Sequence, residues 1–216
     1  MHTTLCKHAT GEPAEYRATA RALQMTEMCF TDHAPNPDGV GAQYAMDMDQ
    51  FGAYRSMIDK LQDDGLPTVF FGVEADYYPT CEKHLAGWLP RGDFDLILCS
   101  IHYLGNWGFD NPDEMEGWKS VDVNGVWRKY FELLSAAAES GLFDTVGHID
   151  LPKKFGHRLR DSVLKEMAQP TLDRIAAAGM AVELNTGGLR KPAREIYPSA
   201  LLLSLIRERD IPICFG

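Results

Sequence analysis

Short apolar runs rich in β-branched and aromatic residues recur along the chain at 27–31, 68–74, 94–101, 143–147, 180–184 and 211–215. Their length and composition predict buried strands rather than helices. Between them, apolar positions keep helical spacing. This holds for the Ala/Arg-rich 13–25, for Phe51, Tyr54, Ile58 and Leu61, for 81–88, for Trp127, Tyr130, Phe131 and Leu134, for 161–178, and for Leu201, Leu202, Leu205 and Ile206. The punctuation agrees. Asp47 or Asp49 suits an N-cap, Gly65, Gly141 and Gly179 lie just past helix ends, Pro198 suits a first turn, and Pro170 suits a kink. Two loops stand out: a Pro/Gly/Asn stretch at 36–43, and a long polar segment at 103–124 that holds Trp107 and Trp118. Long loops in compact domains often serve as lids or mouths.

This β/α alternation has no break, so one domain over residues 1–216 and a parallel sheet or barrel are expected. An open doubly wound sheet would normally carry a Gly-rich phosphate loop after its first strand. Gly39-Val40-Gly41 lacks the third glycine and follows a loop. In a barrel the C-terminal strand ends meet on one face, and here those ends carry chemistry. Thr31-Asp32-His33, Glu74, His102, His148 and Glu183 each follow or close an apolar run. A carboxylate at the end of such a run is costly unless something positive pairs with it, so Glu74 reads as a central metal ligand. His2 and His8 join the set near the N-terminus. His together with carboxylate suits Zn, Fe or Mn rather than Ca, and six ligands exceed what one zinc takes, so at least two metals are expected. His84, in a helix-like segment, and His157, in a loop, are expected to be solvated. Cys6 beside His8 lacks an orienting third group, which argues against a Cys–His nucleophile.

Composition narrows the partners. The chain has 216 residues, 45% of them hydrophobic, and a formal net charge of -10. That charge disfavours a nucleic-acid polymer. No apolar run approaches the ~20 residues of a membrane span, and no secretory signal is visible. Five cysteines without CxxC pairing, three of them in strand-like runs, point to a reducing, cytoplasmic setting.

Several stretches together resemble the PHP family of metal-dependent phosphoesterases, in particular its histidinol-phosphate phosphatase branch. They are His2-Thr3-Thr4 with Cys6-Lys7-His8-Ala9, Thr31-Asp32-His33-Ala34-Pro35, Gly72-Val73-Glu74, Ser100-Ile101-His102-Tyr103, Gly147-His148-Ile149-Asp150-Leu151, and Glu183-Leu184-Asn185-Thr186 with Gly188-Leu189-Arg190-Lys191. The resemblance covers nearly the whole chain. It implies a distorted (β/α)7 barrel, a site of three divalent metals (Zn, Fe or Mn), and hydrolysis of L-histidinol phosphate, a small phosphate monoester of histidine biosynthesis. It also implies roles. His2 and Glu74 hold one metal; Glu74, His102 and His148 hold a second, so that Glu74 bridges; His8 and His33 hold a third. Glu74, His102 and His148 thereby become the catalytic centre.

The family pattern opens with His-x-His and ends with Ser-Asp-x-His. This chain begins at the middle residue of the first and stops before the second. It is therefore expected to be trimmed at both ends and to lack the first strand and the final ligand loop. The alternatives are another PHP-type phosphoesterase with a nucleotide or diester substrate, and a catalytically silent metal-binding domain. For phosphate, the cations of choice are Arg190, after a Gly-rich turn, and Lys153, just past His148. Asp32 or Glu183 could recognise the substrate's cationic end, and Asp32 could instead orient His33.

Overall fold

The computed structural model describes residues 1–62 and 65–216. These form two compact units, one of residues 1–75 and 84–98, the other of 76–83 and 99–216.

The first unit begins with a single 3-10 turn, Thr4–Cys6, followed by α1 (Pro13–Ala22) and β1 (Glu27–His33). Helix α1 starts with proline at its first position and with a reciprocal Glu12/Glu15 capping box. Helix α2 (Phe51–Asp59) is preceded by a 3-10 turn, Met48–Gln50, and Asp47 caps that turn rather than the helix itself. Strand β2 (Thr68–Asp76) pairs with β1 in parallel and sets His33 opposite Glu74. Both strands run further than the apolar runs suggest, so the polar residues at their ends lie within strand register.

Helix α3 (Glu82–Gly92) and the start of β3 (Leu96–Ser100) follow. Met28, Phe30, Met46, Tyr54, Ile58, Val69 and Phe71 make the apolar core of this unit. Tyr54 is fully buried, and its hydroxyl is shared between strands: it accepts from Asp32 N at 3.3 Å and donates to Gly72 O at 2.8 Å. Gly72 has to be glycine, because a Cβ there would lie 2.7 Å from Cys29 Sγ and 2.8 Å from Leu96 O.

The second unit holds the hairpin β4 (Tyr103–Leu104) and β5 (Trp107–Gly108), helix α4 (Val123–Ser140), strand β6 (Thr145–Val146), helix α5 (Asp161–Ala177), strand β7 (Ala181–Leu184), helix α6 (Ala200–Arg207) and strand β8 (Ile213–Phe215). Strands β6, β7 and β8 pair in parallel. Trp127, Tyr130, Phe131 and Leu134 of α4, Leu164, Leu172 and Ile175 of α5, and Leu202, Leu205 and Ile206 of α6 are all buried, as their spacing predicts. Gly141 closes α4 with a left-handed φ of 67°. Pro198 falls short of expectation, since α6 starts at Ala200 with Ser199 as N-cap, and the proline precedes the cap.

The polar segment at 103–124 is more ordered than a lid. Gly105 and Asn106 form the two-residue turn of the β4–β5 hairpin, with Gly105 at φ 67°. A 3-10 stretch, Pro112–Ser120, follows. Trp118 donates to Phe109 O at 2.7 Å and stacks on His157 at 4.0 Å between centroids. His157 is therefore packed rather than solvated, and burial pushes its pKa down. His84 in α3 is likewise half-buried, beside Trp88.

The sheet order is β1-β2-β3-β6-β7-β8, which is chain order. All six strands expected from the sequence are present, and β6 is shorter than its apolar run because only Thr145 and Val146 keep strand pairing. The backbone of Met1 lies along β1, accepting from Thr31 N at 2.7 Å. No helix among the described residues is long and apolar enough to cross a membrane.

Tyr54→Phe is expected to cost about 1–3 kcal/mol, because it strands a buried carbonyl and a buried amide. A lower urea midpoint with an unchanged slope is the readout.

Candidate metal centre

In the first unit the 3-10 turn folds the N-terminus back on itself. Thr3 caps it by accepting from Leu5 N, and Lys7 ends it in the left-handed region. His2 and His8 thereby come to 5.1 Å between ring centroids. Asp32 holds this turn against β1: Thr3 N donates to its carboxylate at 2.5 Å, and the Thr3 hydroxyl donates to the other oxygen. His33 N donates to Cys6 Sγ at 3.0 Å. The result is three imidazoles in mutual contact, with His2–His33 at 4.8 Å and His8–His33 at 5.2 Å.

Glu74 arrives from β2. Its carboxylate oxygens lie 3.4 Å from His2 Nε2 and 3.8 Å from His33 Nδ1. These separations exceed a good hydrogen bond. They match a shared ion instead, since two donors about 2.1 Å from one tetrahedral metal stand roughly 3.4 Å apart. The ligand atoms of His2, His33 and Glu74 all lie within 4.8 Å of one another, and so do those of His2, Cys6 and His8. Burial, aided by His33 and His8 and opposed by Glu74, pushes the His2 pKa well down. Neutral imidazole is the form that ligates.

Cys6 is fully buried, and burial together with the Asp32 carboxylate pushes its thiol far up. It remains a protonated thiol, not a nucleophile. Asp32 is also fully buried. Burial raises its carboxyl against the hydrogen bonds from Thr3. With both oxygens engaged by Thr3, it fastens the His2–His8 turn and does not present itself to a ligand.

The second unit gathers Asp76, His102, His148 and Asp110. His102 Nδ1 lies 2.6 Å from Asp76 Oδ1, and the His102 and His148 rings are 5.1 Å apart. A carboxylate on Nδ1 fixes the ring tautomer and leaves Nε2 as the ligating nitrogen. His148 has a positive φ of 25°, which is uncommon outside glycine. It is held on both sides of its peptide: its N–H donates to Glu183 Oε2 at 3.0 Å, and its carbonyl accepts from Tyr130 at 3.1 Å. Glu183 also accepts from Asn185 at 3.1 Å. Its two carboxylate oxygens thus accept from a backbone amide and from a side-chain amide.

The two neighbouring lysines divide. Lys153 is buried, with its ammonium 2.7 Å from Asp150, 3.0 Å from Glu195 and 2.7 Å from Ile196 O. Three partners within the protein match its three donors. Lys154 reaches Asp110 at 2.8 Å. Burial opposes ionisation of Asp110, but His102, Lys154 and His148 outweigh it and hold the carboxyl below its usual range. Arg190 is exposed at the end of a 3-10 turn, Thr186–Arg190, that follows β7.

Asp76, Asp110 and Lys154 escaped the sequence reading. A signal existed for Asp76, which is two residues past Glu74 and so on the same face of β2. None existed for Asp110 and Lys154, which meet across 44 residues.

The model of the PHP domain matches residues 1–187. A probable histidinol-phosphatase from Deinococcus radiodurans is 43% identical over 218 residues, covering 100% of this chain and 83% of the relative. Among solved structures, hisK of Listeria monocytogenes superposes with a TM-score of 0.84 at 23% identity, covering 100% and 92% of the two chains. Histidinol phosphate phosphatase from Lactococcus lactis, solved with zinc, L-histidinol and phosphate, superposes with a TM-score of 0.82 at 18% identity, covering 100% and 82%.

Lys153→Ala is expected to destabilise by about 3–5 kcal/mol, because it leaves the buried Asp150 carboxylate unpaired. Lys154→Ala, whose partner Asp110 also lies in the field of His102 and His148, is expected to cost less than Lys153→Ala. Chemical denaturation of both variants side by side checks the contrast.

Proposed function

Because this chain belongs to the PHP family, we propose that it is a metal-dependent phosphomonoesterase that hydrolyses L-histidinol phosphate to L-histidinol and phosphate. The observation that carries the reading is the gathering of His2, His8, His33 and Glu74 in one cluster, with donor separations that suit a shared ion. The 43% identical relative supports the substrate class. The ligands assigned are His2, His8, His33 and Glu74 in the first unit and His102 and His148 in the second. Three divalent ions, of Zn, Fe or Mn, are the number proposed. Glu74 is the shared ligand in this reading. Strand β2 carries both Glu74 and Asp76.

Bound divalent cations supply Lewis acidity to the phosphoryl oxygens and a water whose pKa is lowered toward neutrality. The chain's own part is placement. His2 is kept neutral by burial and so needs no deprotonation before ligation. Asp76 orients His102 through Nδ1. Glu183 and Tyr130 clamp the His148 backbone in its strained conformation. Arg190 remains the cation assigned to the phosphoryl group, since a guanidinium binds phosphate in a bidentate manner. The net charge of -10 favours a small substrate over a nucleic acid. None of the five cysteines is in a disulfide, which supports a cytoplasmic setting.

Purified protein reconstituted with Mn or Zn is expected to release phosphate from L-histidinol phosphate, and chelation to abolish the release. No release with any divalent metal would reject the proposal. Glu74→Gln is expected to lower kcat by at least about a hundred-fold with the fold intact by circular dichroism. Asp76→Asn is expected to weaken metal binding by roughly 10–100-fold, and metal content per chain measured by elemental analysis checks it.

A further inference from the structure

Several cationic side chains of this acidic protein are neutralised by carboxylates, among them Lys7 by Asp47, Arg55 by Asp59, Lys153 by Asp150, Arg158 by Glu195, Arg174 by Glu139 and Arg209 by Asp173. The loop after β7 is different. Arg190, Lys191 and Arg194 line a cavity of about 430 Å³ with Leu189 and Pro192, and no carboxylate lines it. Among the described residues none of the three cations forms an ion pair.

The loop is built to keep them there. Lys191 N donates to Gly188 O and Arg194 N to Lys191 O, which makes a tight turn. Ala193 is held from both sides: its N–H donates to Lys154 O at 3.0 Å, and its carbonyl accepts from Arg158 at 2.6 Å. At Gly188 a Cβ would lie 2.0 Å from Glu195 O, so the strand-side turn and the returning chain pass with no room for a side chain. Arg194 has a left-handed φ of 47°, a conformation that costs a non-glycine residue energy. Burial and the charges of Lys154 and Arg190 push the Lys191 ammonium below its usual range, against the pull of Asp110. Lys191 therefore sits within the field of Lys154, the cation paired with Asp110.

We infer that Lys191 and Arg194, acting with Arg190, form a capture site for dianionic phosphate, the group shared by a phosphate monoester and by the inorganic phosphate its hydrolysis releases. The inference rests on the phosphatase reading above and adds two residues to it. Concentrated positive charge on a negative protein draws a dianion to one mouth and raises its encounter rate. Arg194 offers planar, bidentate donors and Lys191 a mobile point charge. Neither residue is placed with the reacting groups, so their contribution is to capture and release rather than to the chemical step.

The test compares the metal-loaded wild type with the double variant Lys191→Gln/Arg194→Gln and with Lys129→Gln, a distant exposed control on α4. Inorganic phosphate binding is followed by calorimetry, and L-histidinol phosphate turnover by phosphate release, each at low and at physiological salt. The double variant is expected to bind phosphate about ten-fold more weakly at low salt and to lose a similar factor in kcat/KM, with kcat within about two-fold. The gap is expected to narrow at about 0.15 M salt, where screening is strong. A rise confined to the phosphate inhibition constant assigns the site to the product; a rise in KM as well assigns it to the ester too. Phosphate affinity and salt dependence equal to wild type in the double variant overturn the inference. If the wild type leaves L-histidinol phosphate untouched while the double variant still loses phosphate affinity, the substrate reading fails and the capture site stands.

Discussion

A buried carboxylate at the end of an apolar strand is the constraint on which the first unit depends. Glu74 is only 4% exposed and sits in a strand of Val, Phe and Gly residues. Such a charge must be compensated. Parallel pairing of β1 with β2 puts His33 directly opposite, and the N-terminal turn brings His2 to 3.4 Å. Two imidazoles of this unit face the carboxylate, and His and carboxylate donors at such separations suit a cation held between them. In this sense the fold of the first unit is organised around charges that belong to bound ions.

The remaining polar groups hold that arrangement in place. Asp32 ties the turn to β1, and Tyr54 ties β1 to β2 directly behind Asp32. Glu183 and Tyr130 do the equivalent at His148, and Asp76 does so at His102. Each ligand candidate on a strand end thus has a neighbour that fixes its backbone or its ring. A hydrogen bond to a rigid partner costs little and removes a degree of freedom that a loosely held ligand would otherwise lose on binding. This explains why so many carboxylates near the histidines are spent on protein donors.

Charge is handled differently at the loop after β7. A surface with a net charge of -10 repels a phosphate dianion on approach. Arg190, Lys191 and Arg194 line one cavity without a carboxylate, on a loop held by the bond from Ala193 N to Lys154 O and by the close passage at Gly188. Attraction and reaction can therefore be assigned to different side chains.

What the sequence determined by itself was the periodicity and the order of chemistry. Six apolar runs became six strands in chain order, and His33 and Glu74 could be placed at strand ends because side-chain alternation and strand length are local properties. The aromatic spacing of α4 and the stop at Gly141 were legible for the same reason. The tertiary structure alone decided which polar side chains remain available. Lys153 and Lys154 are adjacent and identical, yet one is buried against Asp150 and Glu195 while the other meets Asp110. Asp32 accepts from the backbone of Thr3, Glu183 from that of His148, and His157 packs on Trp118. Apart from Lys153–Asp150, which are three residues apart, the partners in these pairs are 29 to 44 residues apart. No local pattern encodes them, because a hydrogen bond between distant segments depends on where the chain has returned, not on the residues beside it.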